Sequence, residues 1–255
     1  MGNEIGKEFM EKTKYHYLDQ SDQMKGLQQP PLELEYDKTK KVIDLPKPQE
    51  IEVNGIGLRE AIESRRSIRR YSKKPLTMEE LSYLLWCTQG VKEVAQGHAT
   101  FRTVPSAGAR HAFETYILAN NVEGLQSGIY RFLAIEHKLI EMDTELSIAD
   151  LMVEACFGQA FVKTSAVTFV WTAVAYRMKW RYGERGYRYM HLDAGHVCQN
   201  LYLSAESIDC GVCAIAAFSD DDMNRLLNLD GENQFVIYLA TVGKVEGKKA
   251  RRQEG

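Results

Sequence analysis

The sequence predicts a globular chain in which helices and strands interleave, and three features carry that expectation. Thr77-Met78-Glu79-Glu80 is a capping box, with a hydroxyl placed for a backbone amide and a glutamate that reaches back. Residues 128–134 and 137–142, rich in tyrosine, phenylalanine and isoleucine, have the pattern of a hairpin. The run Ala166-Val167-Thr168-Phe169-Val170-Trp171-Thr172-Ala173-Val174 is apolar and β-branched throughout, which predicts a central strand buried on both faces.

Taken in order, residues 1–50 are polar and hold Gln28-Gln29-Pro30-Pro31, Pro46 and Pro48. They predict a short helix and then an extended arm on the surface or on a partner subunit. Residues 51–246 form the body, and 247–255 a basic tail. A helix over 57–66 would present Leu58, Ala61 and Ile62 on one face. The capping box starts a second helix carrying Leu81, Leu84, Leu85 and Val91, which ends near Gly90 and gives way to a polar loop. A strand over 114–120, the hairpin and a helix over 147–160 capped by Ser147 follow. Beyond the central strand, a long helix spans 187–207, with Leu192, Gly195, His196, Gln199, Tyr202 and Leu203 near one stripe. A small, apolar segment over 209–218 reads as packing. Ser219 caps a helix to residue 227, and a strand over 234–242 ends the core.

At 255 residues the chain can bury a sizeable core, as one large domain or two small ones. A net charge of -3 argues against nucleic-acid binding, which takes a basic face. The opening residues lack the order of a signal peptide and no apolar run approaches the ~20 residues of a membrane span, so the expected place is the cytoplasm. Cys87, Cys156, Cys198, Cys210 and Cys213 fit reduced, buried thiols; the lone C-x-x-C at Cys210 has no second pair for zinc. No H-E-x-x-H occurs, and no metal site is expected. The two common glycine-rich phosphate cradles and the G-x-S-x-G elbow are also missing.

One stretch stands out against the acidic balance. Ser64-Arg65-Arg66-Ser67-Ile68-Arg69-Arg70-Tyr71 gathers four guanidinium groups at a predicted helix end. Planar, permanently charged guanidinium suits bidentate pairing with phosphate, and a serine hydroxyl adds a neutral donor. The stretch reads as a phosphate clamp for a nucleotide or cofactor; a solvated basic helix end, favoured by the helix dipole, accounts for it equally well.

That stretch, then Pro105-Ser106-Ala107-Gly108, then the long helix leading into Ile208-Asp209-Cys210-Gly211-Val212-Cys213-Ala214-Ile215-Ala216-Ala217-Phe218, resembles the successive signatures of the nitroreductase family. Arg110-His111, the hairpin, and Arg181-Tyr182-Gly183-Glu184-Arg185-Gly186-Tyr187-Arg188-Tyr189 are most similar to the SagB-type dehydrogenase branch. The resemblance covers about residues 55–245. It implies an α+β, nitroreductase-like fold, a mixed β-sheet sandwiched between helices, in an obligate homodimer with FMN at the subunit interface and NADH or NADPH as donor.

By position, it implies that Arg65, Arg66, Ser67, Ile68 and Arg69 bind FMN. Pro105, Ser106, Ala107, Gly108 and Arg110 would meet the flavin from the other subunit, and Ala214, Ile215, Ala216 and Ala217 would face its reactive nitrogen. Lys244 or Arg251 would give a second phosphate contact. Tyr182 is the candidate acid or base, or a cover for the cofactor. Two positions depart: Ala109 stands where many nitroreductases have asparagine, and Arg181 where azoline dehydrogenases have lysine. Arginine stays protonated and makes a poor general base. The expected activity is therefore flavin-dependent oxidation and reduction of a small organic substrate by a ping-pong cycle. A peptide thiazoline or oxazoline dehydrogenase and a flavin-binding protein without turnover are the alternatives.

Overall fold

A computed structural model describes residues 4–53 and 55–246. Its centre is a seven-stranded sheet in the order β1-β6-β5-β4-β7-β9-β8. The strands are β1 (Val42–Asp44), β4 (Phe113–Ala119), β5 (Gly128–Leu133), β6 (Lys138–Asp143), β7 (Val167–Val174), β8 (Cys210–Ile215) and β9 (Gln234–Lys244). A separate hairpin pairs β2 (Val91–Ala95) with β3 (Ala99–Arg102).

Period-two alternation divides each inner strand between two cores. Val167, Phe169 and Trp171 of β7 face one side, with Ile117 of β4 and Phe132 of β5. Two helices cover that side, α3 (Met78–Gln89) through Leu81, Leu84 and Leu85 and α7 (Gly186–Glu206) through Met190, Ala194, Val197 and Leu201. Val170, Tyr116, Leu118 and Leu239 face the other side, under α4 (Ile148–Ala155), α5 (Phe161–Thr164) and α8 (Asp220–Leu226). The sheet is therefore sandwiched between helices as expected, and β7 pairs on both edges.

Every ladder of the large sheet is antiparallel, which corrects the expected mixed sheet. Among the described residues, parallel pairing survives only as single bridges, Ser67 to Val212 where a loop runs along β8, and Leu76 to Val122 between two loops. Val91 is not helical: Gly90 leaves α3 with φ −57° and ψ 131°, and the turn at Gln96 and Gly97 closes the β2–β3 hairpin where a polar loop was expected. The helix over 147–160 stops at Ala155, because Phe157 and Gly158 take positive φ; Ser147 makes no side-chain cap bond.

Helix α2 (Leu58–Ser64) buries only Ala61; Leu58 and Ile62, the predicted inner face, lie exposed. On α7 the stripe Leu192, Gly195, His196 and Gln199 is also exposed, while Tyr202 turns inward. The capping box on α3 and the Ser219 cap on α8 form as predicted. No described helix is long and apolar enough to cross a membrane.

The arm begins with α1 (Ile5–Lys12) and then lies along its own chain. The Gln23 amide donates to the Trp180 carbonyl (2.9 Å) at the end of α6 (Ala175–Tyr182), whose Trp180 indole donates to the Leu27 carbonyl (2.9 Å). Arg131 donates to the carbonyls of Leu34 and Glu35, each at 3.1 Å.

Candidate functional site

The arginine stretch is fixed by its backbone, not by its charges. On leaving α2, Ser64 donates through its hydroxyl to Glu206 (3.0 Å), and Ser67 and Ile68 then run beside β8, an edge strand. The Ile68 amide donates to the Val212 carbonyl at 2.8 Å. This close approach needs Gly211, where a Cβ would come within 2.7 Å of the Ile68 side chain. Tyr71 locks the far end, its hydroxyl donating to the Ile68 carbonyl (2.6 Å) and sharing a hydrogen bond with Thr241 Oγ1 (2.7 Å).

With the backbone so held, the guanidinium groups meet no counter-charge among the described residues. Arg65 lies over the Tyr202 ring, 5.2 Å from its centroid, and Arg69 over Phe161 at 5.9 Å. Arg66 and Arg70 are exposed. Among the described residues, no carboxylate pairs with any of the four.

Tyr202 joins this stretch to the 214–217 segment. Its hydroxyl accepts the Ala214 amide (2.9 Å) and lies 3.0 Å from Ser67 Oγ. Ile215 is buried at the end of β8, and Ala216 and Ala217 follow as an exposed turn. Gln159 holds that turn by donating to the Ala217 carbonyl at 2.8 Å. Burial pushes the Cys213 thiol upward in pKa, opposed by the charge of Arg69, so this cysteine stays protonated.

The loop holding Pro105 is pinned elsewhere on α7. The Ala107 amide donates to both oxygens of Asp193, at 3.2 and 3.3 Å, and the Ser106 hydroxyl accepts the His111 amide at 2.9 Å. Burial raises the pKa of Asp193, against these bonds. Gly108 (φ 57°) and Ala109 (φ 52°) turn the backbone left-handed, and a Cβ on Gly108 would lie 2.4 Å from the Tyr182 hydroxyl. Tyr182 packs edge-on against Tyr189, ring centroids 4.8 Å apart. Arg110 donates to the carbonyls of Gly108 and His98 and lies 5.4 Å from the Trp180 centroid. Burial, and then the charge of Arg181, lowers its pKa.

The arginine stretch, bonded through the Ile68 amide to a small-residue strand edge, and the left-handed loop after Pro105 thus both dock on the same long helix. Residues 62–244 match the Nitroreductase family. The chain belongs to that family.

A nitroreductase-family protein of Methanocaldococcus jannaschii is 32% identical over 193 residues, 76% of this chain and 93% of that protein. Trifolitoxin-processing protein TfxB of Rhizobium leguminosarum bv. trifolii is 27% identical over 154 residues, 59% of this chain. This chain spans only 41% of TfxB, and the likeness agrees with the SagB-type resemblance. A solved Anabaena variabilis nitroreductase structure is 31% identical with a TM-score of 0.62, over 73% of this chain and 38% of that one. The Escherichia coli microcin synthetase McbBCD complex with truncated pro-MccB17 bound (20%, TM-score 0.60, 79% and 77% covered) has the same fold. So does the NADPH:FMN oxidoreductase of Vibrio harveyi complexed with NAD+ (18%, TM-score 0.53, 75% and 70% covered).

Within this chain the predicted site residues fall into separate groups. Arg65, Ser67, Ile68 and Arg69 gather with Ala214. Pro105, Ser106, Ala107, Gly108 and Arg110 gather with Tyr182. Tyr202 and Asp193, which hold the two groups, are nine residues apart on α7, an axial rise of about 13 Å. Lys244 joins neither: its ammonium pairs with Glu80 of the α3 capping box and donates to the Ile208 carbonyl (2.8 Å). Arg251 lies outside the described residues. Sequence reasoning placed Tyr202 on the helix stripe and missed its hydroxyl; Asp193 and Phe161 went unremarked. No local pattern marks a buried tyrosine as a junction, since its partners come from elements far apart in sequence.

Proposed function

We propose that this protein is an FMN-dependent oxidoreductase, working as a homodimer, that moves electron pairs between NADH or NADPH and a small organic substrate in a ping-pong cycle. The observation that supports this reading best is the set of unpaired guanidinium groups of Arg65 and Arg69, with Ser67, beside the Ala214 edge. A chain of net charge -3 in which four clustered arginines have no carboxylate partner among the described residues fits a phosphate monoester, which offers charge-assisted bonds. Bound FMN would supply the two-electron chemistry.

The chain's residues divide the remaining work. Arg65, Arg66, Arg69 and the Ser67 hydroxyl hold the phosphate, and a nearby guanidinium also favours negative charge as it develops. The small side chains of Ala214, Ala216 and Ala217 let backbone amides approach a flat ring closely. The groups held by Tyr202 and Asp193 are separated within one subunit, so we assign the 105–108 loop and Arg110 to the partner's site. Lys244, engaged by Glu80, is left out of the phosphate set.

Tyr182, whose hydroxyl lies over Gly108, would cover the cofactor or exchange a proton with substrate. A second reading, peptide azoline oxidation, is supported by the likeness to TfxB. Arg181, whose guanidinium lies 5.7 Å from the Tyr182 centroid, stands where that chemistry would need a base, and so the small-molecule reading is preferred.

The test is the absorbance spectrum of the purified protein before and after anaerobic NADH or NADPH. The reading predicts flavin bands, present as isolated or after adding FMN, that bleach with one of the two donors. A colourless protein that takes up no FMN would overturn it, and flavin that no donor bleaches would leave a binding protein without turnover.

A further inference from the structure

The hydrogen-bond inventory around Tyr202 has a direction. A tyrosine hydroxyl offers one hydrogen and can accept in return. Tyr202 Oη accepts the Ala214 amide at 2.9 Å, and its other neighbour is Ser67 Oγ at 3.0 Å. If Ser67 donated to Tyr202, the phenol hydrogen would have no acceptor among the described residues, inside a residue only 9% exposed. An unmatched buried donor carries a desolvation penalty of about 1–3 kcal/mol. The favoured order is therefore Ala214 N–H to Tyr202 O–H to Ser67 Oγ. Ser67, which is exposed, then keeps its own hydrogen to give outward, on the side where the chain carries its arginines.

The same tyrosine also bears on the charge beside it. The Arg65 guanidinium lies over its ring at 5.2 Å, an attraction that restrains the side chain and leaves its N–H edge free to donate. One residue thus orders a neutral donor and a charged donor, and ties both to the backbone of the 214–217 segment.

We infer that Tyr202 is the positioning residue for phosphate recognition: through the chain Ala214 N–H, Tyr202 O–H, Ser67 O–H it aims the serine hydrogen at the phosphoryl group and so sets the preference for a phosphorylated flavin over the free one. This rests on the FMN reading above and deepens it. No covalent step is involved.

The test compares dissociation constants for FMN and for riboflavin, which lacks the phosphate, by quenching of flavin fluorescence. Tyr202→Phe keeps the ring beneath Arg65 and removes only the hydroxyl. It should lose about tenfold in FMN affinity, the size of one hydrogen bond to a charged group, and bind riboflavin as the parent does. Ser67→Ala should show the same selective loss, and the double variant no more than either single one, since all three break one relay. A Tyr202→Phe protein that keeps the parent's FMN-to-riboflavin ratio, or that loses both flavins equally as a purely structural tyrosine would, overturns the inference. Should that variant not fold, Ser67→Ala decides alone: a retained preference overturns the inference and a lost one supports it. A parent protein that binds neither flavin overturns the cofactor reading itself, an outcome distinct from the others.

Discussion

The phenol of Tyr182 closes the space above Gly108, leaving 2.4 Å between its oxygen and the place a Cβ would occupy. Gly108→Ala therefore meets both a left-handed backbone (φ 57°) and a clash. We expect a loss of about 1–2 kcal/mol from the backbone alone, plus displacement of Tyr182. Because the clash is with the hydroxyl, Tyr182→Phe in the same protein should restore part of the loss. Urea denaturation of the two single variants and the double variant measures that coupling.

The arm depends on a buried ion pair. Glu114 accepts from Arg177 at 2.6 Å and from the Leu34 amide at 2.9 Å, and Arg177 donates to the Pro31 carbonyl at 2.8 Å. Both side chains are almost fully buried. Arg177→Ala strands the Glu114 charge and should cost about 3–5 kcal/mol. It should also speed proteolytic cleavage within residues 31–35, read by limited proteolysis and mass spectrometry.

His111 sets a pH dependence. Burial first, then the charges of Arg102 and Arg110, lower its pKa from 6.5 to about 3. Between those values the unfolded chain binds a proton that the folded chain refuses, so this contribution is present above pH 6.5 and is lost as pH falls toward 3. Urea unfolding from pH 7.5 down to pH 4 should show falling stability, with a shallower slope in His111→Asn, an untitratable side chain that tolerates the left-handed φ of 43° at this position.

Lys244 separates a structural cation from a ligand-binding one. With its ammonium held by Glu80 and the Ile208 carbonyl, Lys244→Met should cost about 1–3 kcal/mol of stability and leave FMN affinity unchanged. Thermal unfolding together with FMN titration reads both outcomes.

What the sequence discloses follows the range of the forces involved. The Thr77 and Ser219 caps close within four residues, and β7 is apolar on both faces because both are covered, so each is written locally. β1, three residues at the sheet edge, has too little length for a pattern. β8 does not look like a strand in sequence because its small residues answer to Ile68 and to Tyr202, not to a strand's usual alternation. Leu58 and Ile62 keep helical spacing yet lie exposed, since α2 has seven residues and seats itself through Ala61. In the site, a run of arginines is visible in composition, whereas the tyrosine that meets Arg65 and Ser67, 135 positions away from Ser67, is not.

The central claim is that the arginines after α2 hold the phosphate of FMN. Titration of FMN into the parent and into Arg65→Ala/Arg69→Ala tests it directly. With each charge-assisted bond worth about 1.5–3 kcal/mol, the double variant should bind at least about a hundredfold more weakly. An unchanged dissociation constant would contradict the account.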